Sequence, residues 1–366
     1  MRIGYEAKRV FHNRSGLGNF SRNLIRSLAT YHPENEYYLY NPKKAKIAFG
    51  QELDSVKELR PSFKNPLFVN LWRQRLLSER AQKDGVQIFH GLSQELPAGL
   101  QKRNIPSVLS VHDLIFIRKP ELYKAIDRKI YTRKLKSACR QASAIVAISE
   151  QTRQDLQEFL DISADKVKVI YQGCNPLYWE EKKPGEIQTV RTTYQLPESY
   201  ALFVGTLEKR KNAALVAQTA QKLGIPTVMI GRPTRQWLKE VAPGLNPNLI
   251  LTPTVTDNEH LAAIYRGAKL FVYPSSFEGF GIPVLEALVS KVPVITSNLS
   301  SLPEVAGPSS ILIDPDTPEE LEEAMNRVWN SEELSQQMIK SGYTFAQHFK
   351  DDVIARQWQN LYSSLL

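Results

Sequence analysis

Short strand-like stretches and longer helical ones alternate along the first 170 positions. Arg2–Tyr5, Tyr37–Tyr40, Ile88–His90, Ser107–His112, Ala144–Ile148 and Val167–Tyr171 carry close-set apolar residues. Between them, in segments such as Phe20–Thr30 and Asp127–Arg140, apolar residues return every three or four positions. Strand and helix in alternation predict an α/β domain with a mostly parallel, doubly wound sheet. The pattern lapses from Gln172 to Ser199, where Gly173, Pro176, Pro184, Gly185 and Pro197 stand among charged residues, and this reads as a linker. A second series follows with Tyr200–Gly205, Thr227–Ile230, Leu249–Leu251, Leu270–Tyr273, Val292–Ile295 and Ser310–Ile313. The last stretch, Asp352–Leu366, places Val353, Ile354, Trp358, Leu361 and Tyr362 at helical spacing. The expected organisation is a Rossmann-like domain over 1–172, a linker over 173–198, a second such domain over 199–348 and a terminal helix over 349–366. Ligands of two such domains belong at strand C-termini, in the cleft across which the domains face each other.

Composition fits this picture: 366 residues suit two domains, and 42% apolar with 23% charged residues is a globular balance. No apolar run approaches the ~18 to 20 residues of a membrane span. The first residues, Met1 to Tyr5, run into a strand without a signal stretch, so a cytoplasmic location is expected. Cys139 and Cys174 have no paired spacing, which leaves a disulfide framework or zinc site unsupported. Charge is divided unevenly. Residues 1–170 hold 30 Lys and Arg against 17 Asp and Glu, and the remainder hold 17 against 21. A basic half attracts polyanions. Many of its cations lie between Arg118 and Arg140; as a helix this segment puts Tyr123, Ile126, Ile130 and Leu135 roughly on one side. It reads either as a solvated helix or as a surface meeting anionic lipid at the inner face of a membrane. The basic half lacks the interleaved aromatics of a nucleic-acid module, so nucleic acid is not an expected partner.

Candidate chemistry concentrates in the second half. In Phe277-Glu278-Gly279-Phe280-Gly281-Ile282-Pro283-Val284-Leu285-Glu286, two carboxylates bracket a glycine loop. Pro283 suits a first helical turn, which puts Glu278 in the loop and Glu286 about one turn into the helix. The N–H groups near Gly281, Ile282 and Val284 would then offer an anion site. Carboxylates flanking a phosphate site suggest a ligand with phosphate in its middle and hydroxyls at both ends, as in a nucleotide-sugar. Two solvated glutamates at a helix start are the plain alternative. Gly205-Thr206-Leu207-Glu208-Lys209-Arg210-Lys211-Asn212 follows a strand, and its adjacent Arg210 and Lys211 suit a diphosphate. On its own it would be an exposed basic turn. Ser15-Gly16-Leu17-Gly18-Asn19 lies between a strand and a helix, but the third glycine and the acid of a dinucleotide fingerprint are missing. His90 and His112 end strands, where sites sit. Asp314-Pro315-Asp316 precedes Thr-Pro-Glu-Glu and reads as helix capping, with no metal expected.

Together these segments resemble the Glu-x7-Glu glycosyltransferases of family 4, which have the GT-B fold. The resemblance spans nearly the whole chain: the glycine loop, the His112-Asp113 strand end, the Gly-Thr-Leu-Glu turn, and Tyr273-Pro-Ser-Ser-Phe-Glu-Gly-Phe-Gly with its helix. It implies a retaining, metal-independent and cofactor-free transfer of a sugar from a nucleotide diphosphate donor to a glycan or lipid-linked hydroxyl. GDP-mannose is the donor toward which it leans. Catalytic residues implied are His112, Arg210, Lys211 and Glu278. Donor contacts implied are Gly16, Gly18, Thr206, Gly231, Val255, Gly279, Phe280, Gly281, Ile282 and Glu286, with the base near Gly231-Arg232 and Thr254-Val255. Many relatives carry Arg where Thr206 stands, which removes one phosphate contact. The resemblance also implies a terminal helix that crosses back to the first domain. A GT-B nucleotide-sugar epimerase and a non-catalytic nucleotide-sugar-binding partner are the alternative readings.

Overall fold

Strand β1 (Arg2–Glu6) is buried at every position but its first, as a strand covered on both faces must be. The computed structural model describes residues 1–61, 69, 71–181, 183–241, 244, 249–252 and 255–366. In it β1 joins β2 (Glu36–Tyr40), β3 (Val56–Leu59), β4 (Ile88–Gly91), β5 (Ser107–Val111), β6 (Ala144–Ala147) and β7 (Val167–Val169) in one sheet. The order is β3-β2-β1-β4-β5-β6-β7 and each pair is parallel. The apolar pattern does not announce β3, because Lys57 and Glu58 occupy its centre; an edge strand tolerates them. One face of the sheet packs Leu109, Ile145 and Leu156 with neighbours. A second cluster gathers Tyr40, Trp72, Phe89 and Ile105.

Residues Met1–Gly173 and Phe349–Leu366 form one compact unit, and Cys174–His348 form the other. The terminal helix Asp351–Ser363 lies in the first unit, against the helix Gly16–Tyr31. Ser27 Oγ donates to the Asp351 carbonyl at 2.8 Å, and Asn35 Nδ2 to Gln359 Oε1 at 2.9 Å. Trp358 and Tyr362 of this helix cover His90. The imidazole lies 4.7 Å from the Trp358 ring; its Nδ1 is 2.8 Å from the Tyr362 hydroxyl and its Nε2 2.8 Å from Ser110 Oγ. Although it is near a strand end, His90 is therefore a core residue, and burial pushes its pKa down to about 3. Tyr362→Phe removes one of its two partners and is expected to cost about 1–2 kcal/mol in unfolding free energy. A denaturation midpoint unmoved by that change would show the bond to be dispensable.

In the second unit, β8 (Ala201–Val204), β9 (Thr227–Ile230), β10 (Leu249–Thr252), β11 (Leu270–Tyr273), β12 (Val294–Ser297) and β13 (Ile311–Ile313) are again parallel. Their order is β10-β9-β8-β11-β12-β13. The stretch 173–198, expected as a linker, is largely structured: it contains the short turn Pro176–Tyr178 and the helix Glu186–Tyr194, which buries Ile187 and Val190. Arg266 fastens this helix with a two-pronged ion pair to Glu186 at 2.6 and 3.0 Å, and also donates to the Leu177 carbonyl. Two buried apolar residues in nine were too few to show as a period.

Candidate functional site

Strand order reverses between β8 and β11, and in an open parallel sheet the strand C-termini at such a point are where ligands bind. After β8 the chain passes Gly205 and makes a tight turn at Lys209–Lys211. Asn212, at φ +50°, ends that turn and donates its Nδ2 to the Pro274 carbonyl after β11 at 2.8 Å. The Ser276 N–H returns a bond to the Arg210 carbonyl at 2.8 Å. Two loops distant in sequence are thereby stitched together. The end of β9 backs them up: a Cβ on Gly231 would lie 1.8 Å from the Gly205 carbonyl oxygen, so backbone packs on backbone there.

This frame converges on Glu278. Its Oε1 accepts from Arg210 Nη1 at 2.9 Å, the Tyr273 hydroxyl at 2.8 Å and Ser275 Oγ at 2.9 Å. Lys211 Nζ stands 3.6 Å from the same oxygen and donates to the Tyr273 hydroxyl at 2.7 Å. Oε2 has no protein donor among the described residues, so one oxygen is saturated while the other is left for a ligand. Burial alone would raise the carboxyl pKa, but Lys211 and Arg210 together hold it below the usual range. Burial would likewise lower the Arg210 pKa, and Glu278, Tyr273 and Glu208 more than reverse this. Arg210 Nη2 also donates to Glu208 at 2.7 Å, giving two cations and two carboxylates in balance. Ser300, strained at φ +58°, holds the Glu278 peptide by accepting its N–H and donating to its carbonyl.

The loop then enters the helix Ile282–Val289, with Gly281 at φ +109° as its cap. The Val284 N–H, expected to face a ligand, is bonded to the Gly281 carbonyl at 2.9 Å, because the first turn tightens. The N–H groups of Gly281 and Ile282 have no protein acceptor among the described residues. Phe280 is buried, at 2% exposure, so its side chain props the loop from beneath.

Glu286 sits one turn in. The Tyr265 hydroxyl donates to its Oε2 at 3.0 Å, and Tyr178 bonds it as well. Burial nonetheless raises its pKa to about 7. An unfolded glutamate titrates near 4.3. Between those values the folded chain keeps a proton that the unfolded chain has lost, so this group's contribution to stability falls as pH rises through that window. Relative to Glu286→Gln, the parent chain is expected to lose stability from about pH 4 to about pH 7, as read from denaturation midpoints. A gap that stays constant would mean a well-solvated carboxylate with an ordinary pKa, and one that moves the other way a carboxylate held below it.

Comparison with known proteins bears on this geometry. The family description Glycosyltransferase Family 4 matches residues 14–176, and Glycosyl transferases group 1 matches 189–345. An O-antigen chain mannosyltransferase B of Escherichia coli is 30% identical over 338 residues, covering 86% of this chain and 87% of that protein. The chain belongs to the family 4 (group 1) glycosyltransferases. Its fold is GT-B. A sucrose-phosphate synthase from Thermosynechococcus elongatus matches with a TM-score of 0.79 at 19% identity, covering 100% of this chain and 99% of that one. HepE from Anabaena, solved in complex with UDP and glucose, matches with a TM-score of 0.76 at 17% identity, covering all of both chains.

In the first unit of the glycosyltransferase, His112 is buried beneath Phe20, 4.6 Å away edge to face. Its Nε2 lies 2.8 Å from the Leu92 carbonyl, which can only accept, so Nε2 carries the proton and Nδ1 offers a lone pair. Burial lowers its pKa to about 4 against the weaker pull of that carbonyl. Gly16 opens the helix Gly16–Tyr31, and a Cβ there would meet nothing. Gly18 differs from expectation. Its N–H is taken by the Ser15 carbonyl at 2.9 Å, and a Cβ would fall 1.9 Å from the Asn13 carbonyl oxygen. Close packing inside the loop accounts for this glycine.

Elsewhere in the glycosyltransferase, Thr206 is exposed and Val255 half-buried, while Thr254 lies outside the described residues. Asp316 does not cap the helix Pro318–Asn330, which begins after Thr317. Instead the Asp314 carboxylate accepts the Asp316 N–H at 2.9 Å, and Glu320 accepts the Asp314 N–H at 2.8 Å. Both are local turn bonds. Sequence reading missed Tyr178, Tyr265, Tyr273, Ser275 and Ser300. Tyr273 closes an apolar strand and reads as core, and Tyr178 lies in the supposed linker.

Proposed function

We propose that this glycosyltransferase moves a mannosyl group, with retention and without a metal ion, from GDP-mannose to a hydroxyl of a glycan or lipid-linked acceptor. The second domain, 199–348, binds the donor, and the first, 1–172, the acceptor. The observation that carries the reading is the half-saturated Glu278 carboxylate between Arg210, Lys211 and the Ile282–Val289 N-terminus. Mannose is supported by the similarity to the O-antigen chain mannosyltransferase over most of both chains. Lys211 and Arg210 receive the diphosphate, aided by the free N–H groups of Gly281 and Ile282, and stabilise the charge it gains as the anomeric C–O bond breaks. Glu278 Oε2 accepts from sugar hydroxyls, and its negative charge favours the oxocarbenium-like centre. Glu286 holds the ribose diol, Gly231 and Val255 border the base, and Thr206 and Gly279 line the phosphate path. His112 Nδ1 accepts from a sugar hydroxyl, and Gly16 leaves its own loop without a side chain. The acceptor attacks from the leaving-group face and its proton passes to the departing phosphate oxygen.

Calorimetric titration with GDP, UDP, dTDP and ADP in the presence of EDTA tests the donor half of the proposal. Binding of GDP well above the others is expected, followed by an α-linked product from GDP-α-mannose by NMR. A preference for another base would redirect the donor assignment. Transfer abolished by EDTA and restored by a divalent ion would end the metal-free mechanism.

A further inference from the structure

We propose that the helix Ala125–Gln141 in the first unit docks the protein on an anionic lipid bilayer, with Ile126 and Ile130 seated among the headgroups. The sequence pattern suggested one apolar side running through Tyr123, Ile126, Ile130 and Leu135. The structure divides that side in two. Leu135, Ala138 and Cys139 enter the core, while no side chain of the helix before Leu135 is buried. Ile126 is 66% exposed and Ile130 46%. Of the twelve exposed large apolar side chains among the described residues, five fall within residues 122–131, so they form a cluster and are not scattered.

The charge on the same element makes this cluster unlike a protein-binding patch. The helix has six bases and one acid, Asp127. Among the described residues Arg128, Lys129, Arg133, Lys136 and Arg140 form no ion pair. At helical spacing Lys129, Arg133, Lys136 and Arg140 share one face, and Ile126 lies at its edge. Beside that face runs a groove of about 860 Å³ whose lining includes Ile117 and Phe159. Unpaired cations flanking exposed isoleucines match a surface that is anionic outside and apolar just beneath, which is the profile of an acidic bilayer. A nucleic acid would leave the isoleucines in water. This inference draws on the first unit alone and stands or falls independently of the donor assignment.

The test is sedimentation of the full chain with vesicles of phosphatidylcholine alone or mixed with phosphatidylglycerol. Binding to the acidic vesicles only, weakening with added salt, is expected. Each charge removed is expected to cost about fivefold, so Lys129→Ser, Arg133→Ser and Lys136→Ser together cost roughly a hundredfold. These residues are surface-exposed or half-buried, and circular dichroism checks that the fold is kept. Seating is read separately. Ile126→Cys is labelled with an environment-sensitive dye, the native Cys139 and Cys174 being buried. A blue shift on acidic vesicles supports insertion. Equal binding to both vesicle types, indifference to the triple change, or a dye that stays in water would overturn the proposal. So would a concentration-dependent dimer abolished by Ile126→Ser with Ile130→Ser, which would make this face a protein interface.

Discussion

Glu278→Gln is expected to slow sugar transfer at least about a hundredfold while leaving nucleoside diphosphate binding no weaker, and even tighter. The two halves of that result have one cause. The carboxylate sits 2.9 Å from Arg210 and 3.6 Å from Lys211 and occupies the cations that a diphosphate needs. Removing its charge releases them to the ligand. The glutamine oxygen still accepts from Tyr273 and Ser275, so the local frame survives. An amide nitrogen in place of Oε2, however, cannot accept from a sugar hydroxyl and carries no charge to meet the oxocarbenium-like centre. Interactions realised only in the transition state are lost, which lowers the rate and spares ground-state binding. Single-turnover rates and calorimetry with GDP separate the two effects. A parallel loss of rate and affinity would show that Glu278 merely builds the pocket. Lys211→Ala is expected to weaken diphosphate binding, the opposite signature.

Gly231→Ala is expected to cost about 3 kcal/mol of stability or more, because its Cβ would lie 1.8 Å from a carbonyl oxygen of the neighbouring strand end. The obstacle is backbone, so no side chain can rotate away. Gly224 supplies the contrast: its φ is +65°, but a Cβ there meets nothing within 4 Å. Gly224→Ala is thus expected to cost only about 1–2 kcal/mol from backbone strain. Chemical denaturation of both variants measures the gap. Equal losses would mean that the β8 and β9 ends can part, and that Gly231 is free to serve the ligand alone.

Much of this was legible in the chain. Twelve of the thirteen strands among the described residues followed from short apolar runs, since parallel strands buried on both faces leave that trace. The one missed, Val56–Leu59, is an edge strand whose centre is charged. The site segments were legible because glycine, proline and carboxylate residues at fixed spacing have few other uses. Their supporting residues were not, because nothing in the sequence says that Tyr178 and Tyr265 meet at Glu286 or that Ser300 clasps Glu278. Those are long-range pairings. His90 misled for the same reason. Its position near a strand end was visible, but the helix that covers it comes some 270 residues later, as the 272-residue separation of its bond to Tyr362 records. The amphipathic reading of Asp127–Arg140 failed on depth, since period alone cannot say where a helix leaves its core.

The return of the last helix to the first unit has a kinetic side. A ribosome finishes residues 1–173 and then must make all of Cys174–His348 before Phe349–Leu366 emerge. At about 5–20 residues per second this interval lasts on the order of 10–35 s. Throughout it, Tyr5, His90 and the helix Gly16–Tyr31 lack the cover that the last helix supplies, while the second unit is still being made. The order of synthesis thus makes the half that was begun earliest the last to be completed.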